Sequence, residues 1–155
     1  MRIGFGYDSH RFAEGRRLVL GGVEFPGEVG LDGHSDADAL IHAIIDALLG
    51  AAALGDIGSR FPDTDDKWKG ADSAKLLEAT VAELAASGHR VVNVDATVIC
   101  ERPKLGPRIG DIRERLAALL GVDVSAVSVK GKTNERMDAV GSGVGLAVHA
   151  VALID

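Results

Sequence analysis

The chain is predicted to be an α/β (α+β) protein, a single domain over residues 1–155 in which a mixed sheet is backed by helices on one face. Three observations carry that expectation. Alternating apolar and polar runs occur at both ends and in the middle; apolar residues at helical spacing lie between them; glycines and prolines mark the junctions without forming a repeat. A chain of 155 residues is long enough for one buried core. With 46% hydrophobic but only 4% aromatic residues, that core must be built from Ala, Val, Leu and Ile.

Arg2 to His10 sets Ile3, Phe5 and Tyr7 on one face and Gly4, Gly6, Asp8 and His10 on the other, a half-buried strand whose glycines allow close approach. Leu18 to Phe25, with Gly21-Gly22 inside, reads as a bent or bulged hairpin arm, and Pro26 to Gly33 as a loop. Ser35 as N-cap opens a helix stopped by Gly50, with Leu40, Ile41, Ile44, Ile45, Leu48 and Leu49 as its apolar stripe. Along the edge of that stripe Asp38, His42 and Asp46 form one row. Ala51 to Gly70 is too broken for a long element.

Asp72 to Ser87 is a second amphipathic helix with Gly88 as its stop. Arg90 to Cys100 is a strand with one wet side, Val92, Val94, Ala96 and Val98 opposing Asn93, Asp95 and Thr97. Pro107 opens a third helix to Leu120, closed by Gly121. Val127 to Gly131 and Gly145 to Ile154 complete the sheet, and the alanine-rich last strand is expected to be an interface more than a solvated border.

A net charge of −6 argues against a nucleic-acid partner. An anionic substrate would have to be met by local cations, helix N-termini and bound metal. The single cysteine, Cys100, excludes an internal disulfide, fits a reducing compartment and reads as a small buried hydrophobe. The first strand follows Met1 at once, leaving no room for a signal or transit peptide, and no run reaches the roughly 20 apolar residues of a membrane span. A cytoplasmic protein without a membrane partner is expected.

Asp8 and His10, two apart on a strand, point to the same side. With His42 they supply two nitrogens and one carboxylate oxygen, which suits a tetrahedral zinc with one open position. A carboxylate neighbouring His42 is expected to hold its other ring nitrogen; the alternative is a solvated Asp-His-Asp row. Gly33-His34-Ser35 at a helix start offers amides to an anion, and Asp56-Ile57-Gly58 offers a carboxylate and open backbone. Lys130 to Glu135 supplies two cations, a hydroxyl and a carboxylate that could hold magnesium, although it is not a Gly-x-x-x-x-Gly-Lys-Ser/Thr loop. Singly, each of these could be an ordinary turn.

In combination, Gly6-Tyr7-Asp8-Ser9-His10, Leu31-Asp32-Gly33-His34-Ser35-Asp36-Ala37-Asp38, His42, Gly55-Asp56-Ile57-Gly58, Phe61-Pro62-Asp63-Thr64-Asp65, Pro103-Lys104 and Lys132-Thr133-Asn134-Glu135 closely resemble the 2-C-methyl-D-erythritol 2,4-cyclodiphosphate synthase family over nearly the whole chain. The resemblance implies an enzyme of the non-mevalonate isoprenoid pathway that closes a cytidine diphosphate ester bearing a 2-phosphate on itself and releases CMP. It implies zinc, one per subunit, on Asp8, His10 and His42, and a magnesium or manganese ion on Glu135. His34 and Thr133 would stabilise the transition state. Substrate would be met by Asp8, His10, His34 and Ser35; by Asp56, Ile57, Gly58, Phe61, Asp63 and Asp65 around the methylerythritol; by Cys100, Lys104, Leu105 and Gly106 around the cytidine; and by Lys132, Thr133, Asn134 and Glu135.

The family is a homotrimer with sheets around the threefold axis and active sites between subunits. One segment departs: an aromatic followed by Thr-Gly-Arg-x-Glu-Gly is replaced by Ala139-Val140-Gly141-Ser142-Gly143-Val144-Gly145. Ser142 and Val144 in place of arginine and glutamate imply weak or absent binding of an isoprenoid diphosphate on the trimer axis. A zinc phosphodiesterase using bound water, or a non-catalytic metal- or isoprenoid-binding trimer, are the competing readings.

Overall fold

A computed structural model describes residues 1–62, 64–68 and 70–155, with Lys67 as backbone only. Five strands form the main sheet: β1 (Arg2–Ala13), β4 (Gly30–Leu31), β5 (Val91–Ile99), β6 (Val127–Lys132) and β7 (Gly145–Ile154), in the order β4-β1-β7-β5-β6. β2 (Leu18–Leu20) and β3 (Val23–Phe25) make a separate hairpin. Among the described strands only β5 and β6 pair in parallel, as two neighbouring strands joined through a crossover helix do. That helix is α4 (Ile109–Leu120).

α1 (Ala39–Ala52), α3 (Ser73–Ala86) and α4 cover one face of the sheet, and the short α2 (Ile57–Arg60) and α5 (Asp138–Gly141) are turns of helix at loops. The core lies between sheet and helices. It is aliphatic, with Leu40, Ile41, Ile44, Ile45, Leu48 and Leu49 of α1 fully buried against Val94, Val98, Val148 and Ile154.

The glycines of β1 permit its approach to α1. A Cβ at Gly4 would lie 1.9 Å from the Ala47 carbonyl oxygen, and one at Gly6 the same distance from that of Ala43. The glycine face therefore packs on the helix. Its opposite, Ile3, Phe5 and Tyr7, is 72, 62 and 49% exposed, and Val151 of β7 lies on the same open side.

Several expected boundaries move, each for a local hydrogen-bonding reason. β1 continues past His10 to Ala13, since Phe12 and Ala13 pair with β4. Gly21 and Gly22, at φ of +63° and +72°, are the two-residue turn of the β2–β3 hairpin and not a bulge within one arm. Asp38 and not Ser35 caps α1, accepting from the Ile41 amide at 3.1 Å; residues 35–38 instead make side-chain turns, with Ala37 left-handed at φ +57°. The same Asp38 carboxylate accepts from Gly21 and Gly22 amides at 2.8 and 2.7 Å, tying the hairpin turn to the helix start. At the far end α1 runs through Gly50 to Ala52 and closes on left-handed Ala53. A register shift between Val91 and Asn93 leaves Val92 exposed. β7 is no border: it is the central strand, between β1 and β5.

Gly6→Ala is expected to destabilise the fold by about 1–3 kcal/mol or more, because helix and strand must separate. Gly110→Ala, in α4 with open space around its Cβ, should stabilise by about 0.5–1 kcal/mol. Urea denaturation of both variants checks the pair; equal effects would contradict the close-contact account.

Candidate metal centre

β1 carries Asp8 and His10 on its helix-facing side, and α1 presents His42 to them. The Asp8 Oδ2 lies 2.9 Å from His10 Nε2 and 3.0 Å from His42 Nδ1, and the two nitrogens are 3.4 Å apart. Each of the three residues offers one ligand atom, all within 4.8 Å of one another, and all three are half-buried. The donor set and its convergence fit a small tetrahedral cation with an open side.

The outward nitrogens are also held. His10 Nδ1 sits 2.6 Å from the Asp32 carbonyl oxygen, which can only accept, so this nitrogen carries a proton, and in the neutral ring Nε2 is left to present its lone pair. His42 Nε2 lies 2.9 Å from Ser73 Oγ and 3.2 Å from Ser35 Oγ. The expected carboxylate partner of His42 is thus replaced by two hydroxyls. Its row neighbours are engaged elsewhere: Asp38 on the hairpin turn, and Asp46 accepting from the Ile57 amide at 2.7 Å at the start of α2.

Burial pushes the Asp8 carboxyl up, but hydrogen bonds from His10 and His42, with their charges, outweigh it and bring it down to about 2. Burial likewise pushes His10 down, yet the Asp8 carboxylate beside it raises it above its ordinary value.

A cavity of about 330 Å³ opens from the three ligands and is lined by His34, Ser35, Ile57, Gly58, Phe61 and Trp68 among others. Arg16, a residue for which the sequence carries no local signal, holds the backbone on either side of His34. The two ends of its guanidinium donate to the Gly33 and Ser35 carbonyls, both at 2.6 Å, so the residues flanking His34 are fixed. Gly33 itself has no room for a side chain, with the His10 ring 3.0 Å from the position of a Cβ. Asp56 caps α2 through the Ser59 amide at 2.7 Å, so this loop is more ordered than its sequence implies. Asp65 lies on the segment after Phe61, its carbonyl accepting from the Trp68 amide at 3.0 Å; Asp63 falls outside the described residues.

A second cavity, of about 310 Å³, is lined by Cys100, Lys104, Leu105, Gly106, Lys132 and Thr133 among others, and shares no lining residue with the first. Burial pushes the Cys100 thiol up to about 11, so it is an apolar wall and not a nucleophile. Thr133 Oγ1 donates to the Glu135 carboxylate, and Asn134 is anchored through its amide to Glu101 at 3.0 Å. Lys130, by contrast, is paired with Asp95 at 2.5 Å on the open side of the sheet and takes no part.

Residues 1–155 match the YgbB family. A 2-C-methyl-D-erythritol 2,4-cyclodiphosphate synthase from Brachyspira hyodysenteriae is 56% identical over 99% of this chain and 98% of its own length. Among solved structures, 2C-methyl-D-erythritol-2,4-cyclodiphosphate synthase in its CDP-bound form superposes with a TM-score of 0.91 at 39% identity, over 99% of this chain and all of the other. The bifunctional IspDF from Campylobacter jejuni matches at a TM-score of 0.95 and 38% identity; this chain covers 42% of it.

Metal uptake at this centre should release protons. His10, raised by Asp8, holds a proton through its ordinary range near pH 6.5 and must lose it to bind an ion, so affinity should fall by up to about tenfold per pH unit below that raised value. In the metal-free protein the Asp8 contribution to stability is present above its ordinary 3.8 and lost as pH falls through about 2, whereas that of His10 is present below 6.5 and lost as pH rises through its raised value. Calorimetric titration with zinc in buffers of different ionisation heat checks this; equal affinity at about pH 6 and about pH 8 would contradict it.

Proposed function

This chain belongs to the YgbB family, and from that premise we propose that it closes 4-diphosphocytidyl-2-C-methyl-D-erythritol 2-phosphate into 2-C-methyl-D-erythritol 2,4-cyclodiphosphate with release of CMP. It is a lyase of the non-mevalonate isoprenoid pathway, and we infer that it works as one unit over residues 1–155 in the cytoplasm. The observation that carries the reading is the convergence of Asp8, His10 and His42 at the wall of a cavity that also holds His34, Ser35, Ile57 and Gly58.

The substrate brings its own nucleophile. An oxygen of the 2-phosphate bonds to the β-phosphorus while the bond from that phosphorus to the bridging oxygen breaks, and this oxygen leaves on CMP. Anion meets anion, so the barrier is electrostatic and positional. Asp8, His10 and His42 would hold zinc, which when bound supplies a Lewis acid for a phosphate oxygen. Glu135 would hold a magnesium or manganese ion against the diphosphate.

The chain's own groups do the rest. His34, exposed on its pinned strap, and Thr133 stabilise developing charge. Asp56, Ile57, Gly58 and Phe61, with Asp63 and Asp65, orient the methylerythritol, and Ser35 orients phosphate. Cys100, Lys104, Leu105 and Gly106 receive the cytidine; Lys132 and Asn134 flank Thr133 on the diphosphate side.

We further infer a homotrimer with sheets around a threefold axis. Its support is that the metal cavity and the Lys104 cavity share no wall within one chain, while the open sheet face bears Ile3, Phe5, Tyr7 and Val151. Each active site would then take its metal side from one subunit and its cytidine side from the next. The Ser142 hydroxyl donates to the Asp138 carbonyl at 2.8 Å, which supports weak or absent isoprenoid diphosphate binding at the axis.

Phosphorus NMR of the products tests the reaction: cyclic diphosphate and CMP should appear in equal amounts. Inorganic phosphate or an open-chain diphosphate would identify a hydrolase instead, and zinc binding without turnover a binding protein. For the assembly, inactive Lys104→Ala and inactive His42→Ala protomers, mixed under exchange, should regain partial activity. An active monomer in analytical ultracentrifugation would rule the shared site out.

A further inference from the structure

We propose that Ser73 and Asp36 form a positioning relay that commits the proton of His42 to Nε2 and keeps the Nδ1 lone pair aimed at the metal. The proposal rests on the reading of Asp8, His10 and His42 as metal ligands. Asp36 lies on the strap just before α1, but Ser73 is remote from it in sequence, and the relay exists because the start of α3 is brought under α1.

Ser73 is the first residue of α3 and is wholly buried. A serine hydroxyl has one proton and two lone pairs. Its proton goes to the Asp36 carboxylate, which when ionised can only accept, and Oδ2 of the same carboxylate takes the Ser73 amide at 3.0 Å. The Asp36 carboxylate is itself oriented by the Asp38 amide at 3.1 Å. With its proton committed, Ser73 Oγ can offer His42 Nε2, 2.9 Å away, nothing but a lone pair. Nε2 must therefore donate. The neutral imidazole that satisfies this contact carries its free lone pair on Nδ1, the atom 3.0 Å from Asp8 Oδ2.

Ser35 Oγ is also near Nε2, at 3.2 Å, and accepts the Ala37 amide at 3.2 Å. Among the described residues no carboxylate fixes its proton, so it can adapt to either tautomer, whereas Ser73 cannot. His10 reaches the same end by a shorter route, its Nδ1 facing the Asp32 carbonyl. The two histidines are thus set by a carbonyl on one side and a carboxylate–hydroxyl chain on the other, and loss of the hydroxyl should loosen the ligand without removing it.

The test is zinc affinity, measured by competition with a chromogenic chelator on metal-stripped protein, for wild type and for Ser73→Ala, Ser73→Thr, Ser35→Ala and His42→Ala, with circular dichroism to verify the fold. Ser73→Ala should weaken zinc binding by about 10–100-fold, with Ser73→Thr and Ser35→Ala staying much closer to wild type. In the zinc-loaded protein the His42 Nε2 proton should give a slowly exchanging NMR signal that is lost or exchanges rapidly in Ser73→Ala. Wild-type zinc affinity and an unchanged Nε2 signal in folded Ser73→Ala, with affinity lost in His42→Ala, would overturn the relay. Affinity lost in Ser35→Ala but kept in Ser73→Ala would overturn it in favour of the other hydroxyl. Wild-type affinity in His42→Ala is a separate failure, that of the ligand assignment itself.

Discussion

The distance between β1 and α1 is the constraint from which the site follows. Gly4 and Gly6 let the strand lie against the carbonyls of Ala47 and Ala43, closer than any side chain would permit. At that separation His42 on the helix meets Asp8 and His10 on the strand within hydrogen-bond range. A strand with alanines in those places would still have the right residues, but on surfaces held too far apart to share one ion. Alanines at 43 and 47 on the helix answer the glycines on the strand, so small residues on both elements serve a polar purpose two residues further along.

Asp38 shows how the same region is held from the other side. One carboxylate accepts three amides, two from the hairpin turn and one from the first turn of α1, and burial pushes it up to about 6. The hydrogen bonds are what keep so buried a group in place, and through them the hairpin, the strap bearing His34 and the helix bearing His42 share a single anchor. Arg16, just before that hairpin, fixes the strap's carbonyls. The surroundings of the cavity are thus tied to an element that contributes no ligand.

Much of this was readable in the sequence because it is periodic. Alternation placed Asp8 and His10 together, helical spacing placed His42 beside an apolar stripe, and both survive in the structure. What escaped depends on partners distant along the chain. Ser35 has every local mark of an N-cap, yet Asp38 takes that role because two hairpin amides also need an acceptor. Gly21-Gly22 resembles a bulge until Leu20 and Val23 are seen to pair. Ser73 looks like a helix-start serine, and only its packing under α1 gives it His42 as a neighbour. The last strand, judged from its composition alone, reads as an interface more than a solvated border; its place at the centre is set by which strands remain to be paired.

That central place bears on how the molecule comes into being. β1 has only the two-residue β4 beside it until β7, last in the chain, enters between it and β5. Pairing of Arg2 with Ile154 spans nearly the whole sequence, and such contacts are slow to form because a long loop must close first. The segment that bears Asp8 and His10 can pack on α1 early, but its long edge is paired only once β7 is present. Helices α1, α3 and α4 can gather early through contacts near in sequence, but the sheet that gives them a floor is finished only by the final ten residues of its strands. Until β7 is in place the facing edges of β1 and β5 stay open, and open edges are where a partly folded chain makes wrong pairings.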